Sequence, residues 1–384
     1  MRPSQRRRPP DRRRQIVQAA SGLFAAHGFA QVSMADIAGT LDVGPSSLYR
    51  HFANKYDLLR EVVSASVGAV GRVTEASDLD EVIAIGSLGA ATDRNAAILW
   101  QREAGNLDAA DRIALGTELV TAVGALATMV NDRRPTLSSD NATLLAWAII
   151  AVFGSTGMHR SSLPRNDFAS QLASAARAVC DVELGTTTAS PKLTPPDESS
   201  LSTREVLLTQ AIRLFGERGY AAVSTNDIGR AAGTSGPNLY KHFPSKADVL
   251  AAIATRAGEY RRRGVVEALA GVDNATDRLA RLLHAHITFA VEQRDLMRVL
   301  TGELHQLPDP QRKGARQAQR DYLKLWAQAL VDARPDLTPA RARIIVPAAL
   351  AVADDAARTG QIASRLDLPN RLTEICWAVL KSGG

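Results

Sequence analysis

Residues 13–59 and 204–250 align without a gap at a constant offset of 191. Both copies carry Leu-Phe (Leu23-Phe24; Leu214-Phe215), a glycine four residues on (Gly28; Gly219), Val-Ser (Val32-Ser33; Val223-Ser224) and Asp-Ile (Asp36-Ile37; Asp227-Ile228). Leu-Tyr-basic-His-Phe (Leu48 to Phe52; Leu239 to Phe243) and a lysine (Lys55; Lys246) complete the match. A repeat this long marks two whole structural units, because solenoid repeats have shorter periods.

A second, fainter register follows. Arg94, Glu103, Leu107 and Arg112 recur as Arg294, Glu303, Leu307 and Arg312, now at an offset of 200. The whole half is duplicated, and the second copy has gained nine residues. Residues 185–202 (GTTTASPKLTPPDESSLS) are rich in Thr, Ser and Pro with no apolar periodicity, and read as the linker between halves. Residues 1–12 form an Arg- and Pro-rich arm expected to be disordered.

The pattern is helical throughout, so the expected fold class is all-α. Ile16, Ala20, Leu23 and Phe24 share one face of helix one, about Arg13 to His27. Gly28 and Gly219 suit the left-handed residue that ends such a helix. Ser33 with Asp36, and Ser224 with Asp227, read as capping boxes opening helix two. Helix two ends near Leu41 or Ala232, a tight turn follows, and helix three covers Pro45 to His51 or Gly236 to His242. Asn54 with Asp57, and Ser245 with Asp248, cap a fourth helix. Two short helices across a three-residue turn make a helix-turn-helix.

Charge follows the repeat. Residues 1–60 carry ten Lys/Arg against four Asp/Glu, and residues 200–263 ten against five, while the stretch between the first motif and the linker is acidic. Two small basic modules suit DNA contact, and the bulk between them does not. The face of helix three presents Pro45, Ser46, Ser47, Tyr49 and Arg50 in copy one, and Gly236, Pro237, Asn238, Tyr240 and Lys241 in copy two. Small residues allow close backbone approach, while hydroxyl, amide and phenol groups reach phosphates or base edges. Lys55 and Lys246, beside a helix N-terminus, are candidate phosphate ligands. His51 and His242, each followed by Phe, have both a structural and a DNA-facing reading.

Gly-Pro-Ser-Ser-Leu-Tyr-Arg-His-Phe-Ala-Asn-Lys (Gly44 to Lys55), after Val-Ser-Met-Ala-Asp-Ile-Ala (Val32 to Ala38), resembles the tetracycline-repressor-like (TetR/AcrR) family of transcription regulators. The second copy, Ser224 to Ile228 and Leu239 to Lys246, is at least as similar. The resemblance covers both motifs directly. It implies heads at 13–60 and 203–251, and helical regulatory or dimerisation bodies at 61–184 and 252–384. Implied DNA contacts are Ser33, Met34, Ala35, Pro45, Ser46, Ser47, Tyr49, His51 and Lys55, with Ser224, Thr225, Asn226, Gly236, Pro237, Asn238, Tyr240, His242 and Lys246 in the second copy. It also implies an operator as partner, dimerisation through the last two helices and an apolar small-molecule effector. Three departures stand out. Asp42 occupies a turn position where Gly is usual, Gly229 replaces Ala inside helix two at about 1 kcal/mol of propensity, and Met34 and Ala35 offer DNA little. The first head is therefore expected to lean on Arg6, Arg7, Arg8, Arg12, Arg13 and Arg14 for minor-groove or phosphate contacts.

With both heads in one chain, the expected arrangement is an intramolecular pseudo-dimer. Eighteen linker residues span up to about 60 Å extended, enough to permit it. A homodimer of tandem chains with four heads is the rival. The function expected is a ligand-responsive repressor on a pseudo-palindromic operator. A sequence-indifferent DNA-binding protein, or a small-molecule binder with relic heads, stands as alternative. No catalytic constellation, phosphate loop, cofactor motif or metal motif appears, and His284 and His286, two apart on a helix, face different ways. The longest apolar run, Leu144 to Phe153, is too short to cross a bilayer. Cys180 and Cys376 read as core thiols in a reducing compartment, the cytoplasm.

Overall fold

A computed structural model describes residues 12–158, 163–185 and 201–383. Arg6, Arg7 and Arg8 and most of the linker fall outside the described residues. The described residues form eighteen α-helices and no strands.

The first head consists of α1 (Arg12–His27), α2 (Met34–Thr40) and α3 (Pro45–Tyr49), and the second of α10 (Thr203–Arg218), α11 (Thr225–Ala231) and α12 (Gly236–Leu239). Local chemistry sets each boundary. Helices α1 and α10 stop where Gly28 and Gly219 donate to the carbonyls of Phe24 and Phe215 at 2.8 and 3.0 Å. Both glycines have φ near 83° but ψ near 150°. This is a glycine-only region rather than the left-handed helical well expected from sequence. Both capping boxes are present, with Ser33 and Ser224 accepting from the amides of Asp36 and Asp227. The turn residue Asp42 has φ 53°, and its counterpart Gly233 has φ 67°. Asp42 is the one described non-glycine residue at positive φ, a conformation that aspartate tolerates better than most. Helices α3 and α12 are shorter than expected. Past Tyr49 and Leu239 the chain continues as a turn, with Phe52 and Phe243 donating to the carbonyls of Leu48 and Leu239.

Each head leads into its body through a long helix, α4 (Lys55–Gly71) or α13 (Lys246–Leu269), capped by Asn54 or Ser245. Then come α5 (Leu79–Thr92) and α14 (Ala275–Glu292), α6 (Ala96–Glu103) and α15 (Arg294–Gly302), and α7 (Ala109–Arg133) and α16 (Asp309–Ala333). Helices α8 (Ser139–Gly154), α9 (Arg165–Asp181), α17 (Pro339–Arg358) and α18 (Leu368–Lys381) complete the two bodies. The nine extra residues of the second half sit in the longer α13 and α14. By length and composition α7 could cross a bilayer. Here it buries Leu115, Leu119, Val123, Leu126 and Val130.

Helices α8 and α9 pack against α17 and α18, so the halves share one apolar bundle. Alanine is frequent in these helices, and Ala142, Ala148 and Ala151 of α8 and Ala342, Ala349 and Ala353 of α17 are all buried. Small side chains let helix axes approach closely. Polar ties close the edges. Arg365 donates to the Asp140 carbonyl at 2.9 Å and Asn141 Oδ1 at 2.7 Å, and Arg371 donates to the Gly185 carbonyl at 2.6 Å. Cys180 and Cys376 are free and buried. Burial pushes the Cys180 thiol up to about 12 and raises that of Cys376 as well, so both behave as small apolar groups.

The two heads are seated differently. The first head's core, including Ile16, Phe24, Ile37 and Leu48, is continuous with the main core. The second head's core, around Leu207, Phe215, Ile228 and Leu239, forms a separate cluster with Phe289, Leu296, Met297 and Val299.

Candidate nucleic-acid interface

In each head, helix two crosses helix three over a small core. Ile37, Ala38 and Leu48 are fully buried, as are Ile228 and Leu239, while Val43 and Ala232 are half-buried. Burying an aliphatic side chain of this size contributes roughly 1.5–3 kcal/mol. That packing leaves Tyr49 and Tyr240 each 54% exposed, the same value in both copies. Beside them Pro45, Ser46, Arg50 and His51 are exposed and Ser47 is half-buried. In the second head Pro237 and Lys241 are exposed, and Asn238 and His242 are half-buried. Ser33, Ala35, Ser224 and Asn226 are exposed at the starts of α2 and α11.

The copies differ in polarity. Thr225 is half-buried, and its hydroxyl lies 3.3 Å from that of Tyr240. Asn238 donates to the Thr234 hydroxyl at 3.0 Å. Met34, the counterpart of Thr225, has no hydroxyl to offer Tyr49. The Ser33 and Ser224 bonds hold the Asp36 and Asp227 carboxyls below the usual aspartate range, so both helices keep a negative charge in their first turn.

Two expected contacts are corrected. Met34 is 6% exposed and belongs to the head core. Gly236 is buried, and a Cβ there would fall on the Asn226 side chain. Gly229 explains the close approach. A Cβ at Gly229 would lie 2.7 Å from the backbone nitrogen of Gly236. The glycine expected to weaken helix two is what lets helix three pack against it.

The lysines do something the sequence reading missed. Lys55 Nζ donates to the carbonyls of Phe29 and Val32, both at 2.9 Å, and lies 4.2 Å from the Phe29 ring centroid. Lys246 repeats this on Tyr220 and Val223 at 2.7 and 2.8 Å, and sits 4.1 Å from the Tyr220 ring. Partial burial lowers the pKa of both ammoniums, opposed by Glu103 or Glu303. Each lysine thus fastens the loop between helices one and two. Arg13 is likewise engaged, paired with Glu61 and 4.9 Å from the Phe52 ring, and Arg204 stacks on Phe243 in the same way.

Glu103 reaches that loop from the body. Both its oxygens accept from the Phe29 amide at 3.3 Å, and Asn106 donates to it at 2.8 Å. Glu303 holds the matching place in the second half, and burial raises the pKa of its carboxyl. The only sequence signal was the match of Glu103 to Glu303 in the second register. Glu103 is fully buried, and desolvation pushes its carboxyl up to about 7, with the Phe29 bond opposing. With the folded value above the unfolded one, the native state holds more protons between about pH 4.5 and 7. Stability is therefore full below that window and falls as pH rises through it, by at most about 3 kcal/mol. The neutral Glu103→Gln chain should melt higher than wild type at pH 8 and alike at pH 5, followed by circular dichroism. Parallel pH profiles would show that Glu103 is not the titrating group.

His286, the buried member of the histidine pair, lies between the Tyr322 hydroxyl (3.0 Å from Nδ1) and Asp354 (3.1 Å from Nε2). No group of His, Cys, Asp and Glu among the described residues is arranged to hold a metal ion.

Comparison with known proteins agrees with this geometry. The model for bacterial regulatory proteins of the tetR family matches residues 16–62 and 207–253, and that for the tetracyclin repressor-like C-terminal domain matches residues 272–357. The HTH-type transcriptional activator FasR of Mycolicibacterium smegmatis is 30% identical over 162 residues, covering 40% of this chain and 70% of that protein. Among solved structures, a TetR-family transcriptional regulator from Bordetella parapertussis 12822 is 25% identical with a TM-score of 0.44, covering 47% of this chain and 94% of its own. The TetR-family regulator PfmR from Thermus thermophilus is 22% identical with a TM-score of 0.42, covering 48% and 98%. The chain belongs to the TetR family of helix-turn-helix DNA-binding transcription regulators, with the family's head present twice.

Proposed function

We propose that this chain is a sequence-specific cytoplasmic repressor that reads a pseudo-palindromic operator with two non-identical heads, as an intramolecular pseudo-dimer. In this reading residues 13–60 and 203–251 are the heads. Residues 61–184 and 252–384 are the regulatory bodies, 1–12 an arm and 185–202 the linker. The observation that carries it is a pair of like-folded heads with unlike faces. One offers Ser33, Ser46, Ser47, Tyr49 and Arg50, the other Asn226, Pro237, Asn238, Tyr240 and Lys241, and the bodies join through α8, α9, α17 and α18. In a homodimer symmetry makes both half-sites alike, whereas here nothing does. Lys55 and Lys246 then act by fixing the loop ahead of helix two, in addition to any phosphate they reach. An effector that prefers the bodies when the heads are wrongly spaced releases DNA by shifting populations.

Selection of bound fragments from random DNA by the purified chain tests this. It should return two unlike half-sites, one helical turn or a multiple of it apart. The complex should contain one 41.0 kDa chain per operator. An equally occupied perfect palindrome, or two chains per operator, would overturn the pseudo-dimer. In a promoter fusion, loss of the chain should raise transcription. A fall would make it an activator, as FasR is named.

A further inference from the structure

A cavity of about 1550 Å³ lies between the halves, against the C-terminal end of α1. Nine Arg and Lys side chains line it against three Asp.

Four of the cations form one stripe. Arg312, Arg316, Arg320 and Lys324 are spaced four apart along α16, so they stack on one face. Over twelve residues the stripe is about 18 Å long. Among the described residues, Arg312 alone of the four has an ion pair, with Asp309. Arg316 is held below the ordinary arginine range by partial burial and by Arg312 and Arg320. Like charges at this spacing destabilise a helix, and a bound anion would relieve the repulsion. At the cleft wall Arg261 has a buried Nε without a hydrogen-bond partner, and His305 a buried Nε2 in the same condition.

The stripe belongs to one copy. The positions 200 residues earlier are Arg112, Gly116, Val120 and Gly124. The stripe also touches one head. Arg316 donates to the Ala26 carbonyl at 2.9 Å, and Arg102 donates to that of Ala25 at 2.9 Å. These carbonyls form the negative end of α1, where cations stabilise a helix. Gly302 and Gly116 stand where the other half would need the matching arginines.

We propose that this cleft binds a small molecule carrying two or more phosphate groups, and that occupancy loosens the first head alone. Guanidinium forks match phosphate oxygens in pairs, and a single carboxylate would leave most of the stripe unneutralised. An anion engaging Arg316 competes with the Ala26 carbonyl for the same N–H groups. The binding step stands independently of the DNA-binding reading, and the loosening step rests on it.

Calorimetric titration of the full chain with sodium tripolyphosphate, at constant ionic strength and without DNA, tests the first step. We expect one site per chain, weakened at least tenfold in Arg320→Gln/Lys324→Gln and unchanged in the head variant Arg50→Gln/Lys241→Gln. Arg320 and Lys324 are exposed in the cleft, and a melting curve checks that the variant is folded. No binding, binding indifferent to the cleft variant, or binding lost in the head variant overturns the site. Footprinting on the selected operator tests the second step. Tripolyphosphate should free the half-site of the first head before that of the second. Equal release of both, or release of neither, overturns the coupling.

Discussion

A chain carrying Tyr49→Ala and Tyr240→Ala together is expected to bind its operator about a hundredfold more weakly than wild type, with an unchanged melting curve. Both rings are half exposed, on the face bearing Arg50 or Lys241, and neither is part of the head core. A lost base-edge or phosphate contact costs about 1–3 kcal/mol, and losses at well-separated sites add. Each single variant should therefore lose about tenfold. Tyrosine carries no charge, so the slope of affinity against salt should stay the same, whereas Arg50→Gln or Lys241→Gln should flatten it by about one unit. Fluorescence anisotropy at several salt concentrations separates these outcomes. Undiminished affinity in the folded double variant would show that the tyrosines do not face DNA.

The second large effect is one of stability. Gly229→Ala should destabilise the second head by roughly 1–3 kcal/mol, the usual cost of overfilling a packed site. The added methyl meets the backbone of Ser235 and Gly236, which cannot step aside as a flexible side chain could. The reciprocal change Ala38→Gly, at the matching place in the first head, should cost only about 1 kcal/mol of helix propensity. Denaturant melts of the two variants, with amide exchange in α11 and α12 as the local readout, give the comparison. Equal costs would mean that α12 can shift away from α11.

The heads were legible because their boundaries are written in local chemistry. Ser33 with Asp36, Gly28, and Asp42 opposite Gly233 each act within a few residues, where spacing alone specifies the bond. What escaped the sequence reading depends on distant chain. Nothing near Lys55 announces that its ammonium closes on carbonyls 23 and 26 residues away. Met34 follows a capping serine, as a DNA-facing residue would, and only the head's packing turns it inward. Glu103 matters because α6 delivers it to the Phe29 amide, 74 residues distant. The α16 stripe was readable as a four-residue spacing, but not the cavity it faces.

The separate seating of the two heads carries one more implication. Protein regions open in cooperative units, each with its own free energy. The first head shares its unit with the frame that joins the halves, so dislodging it strains that frame too. The second is anchored through an apolar cluster of its own, with Phe289, Leu296, Met297 and Val299 of α14 and α15. Two like-folded heads in one chain are therefore expected to open at different free energies, a difference that amide exchange in α2 and α11 would read.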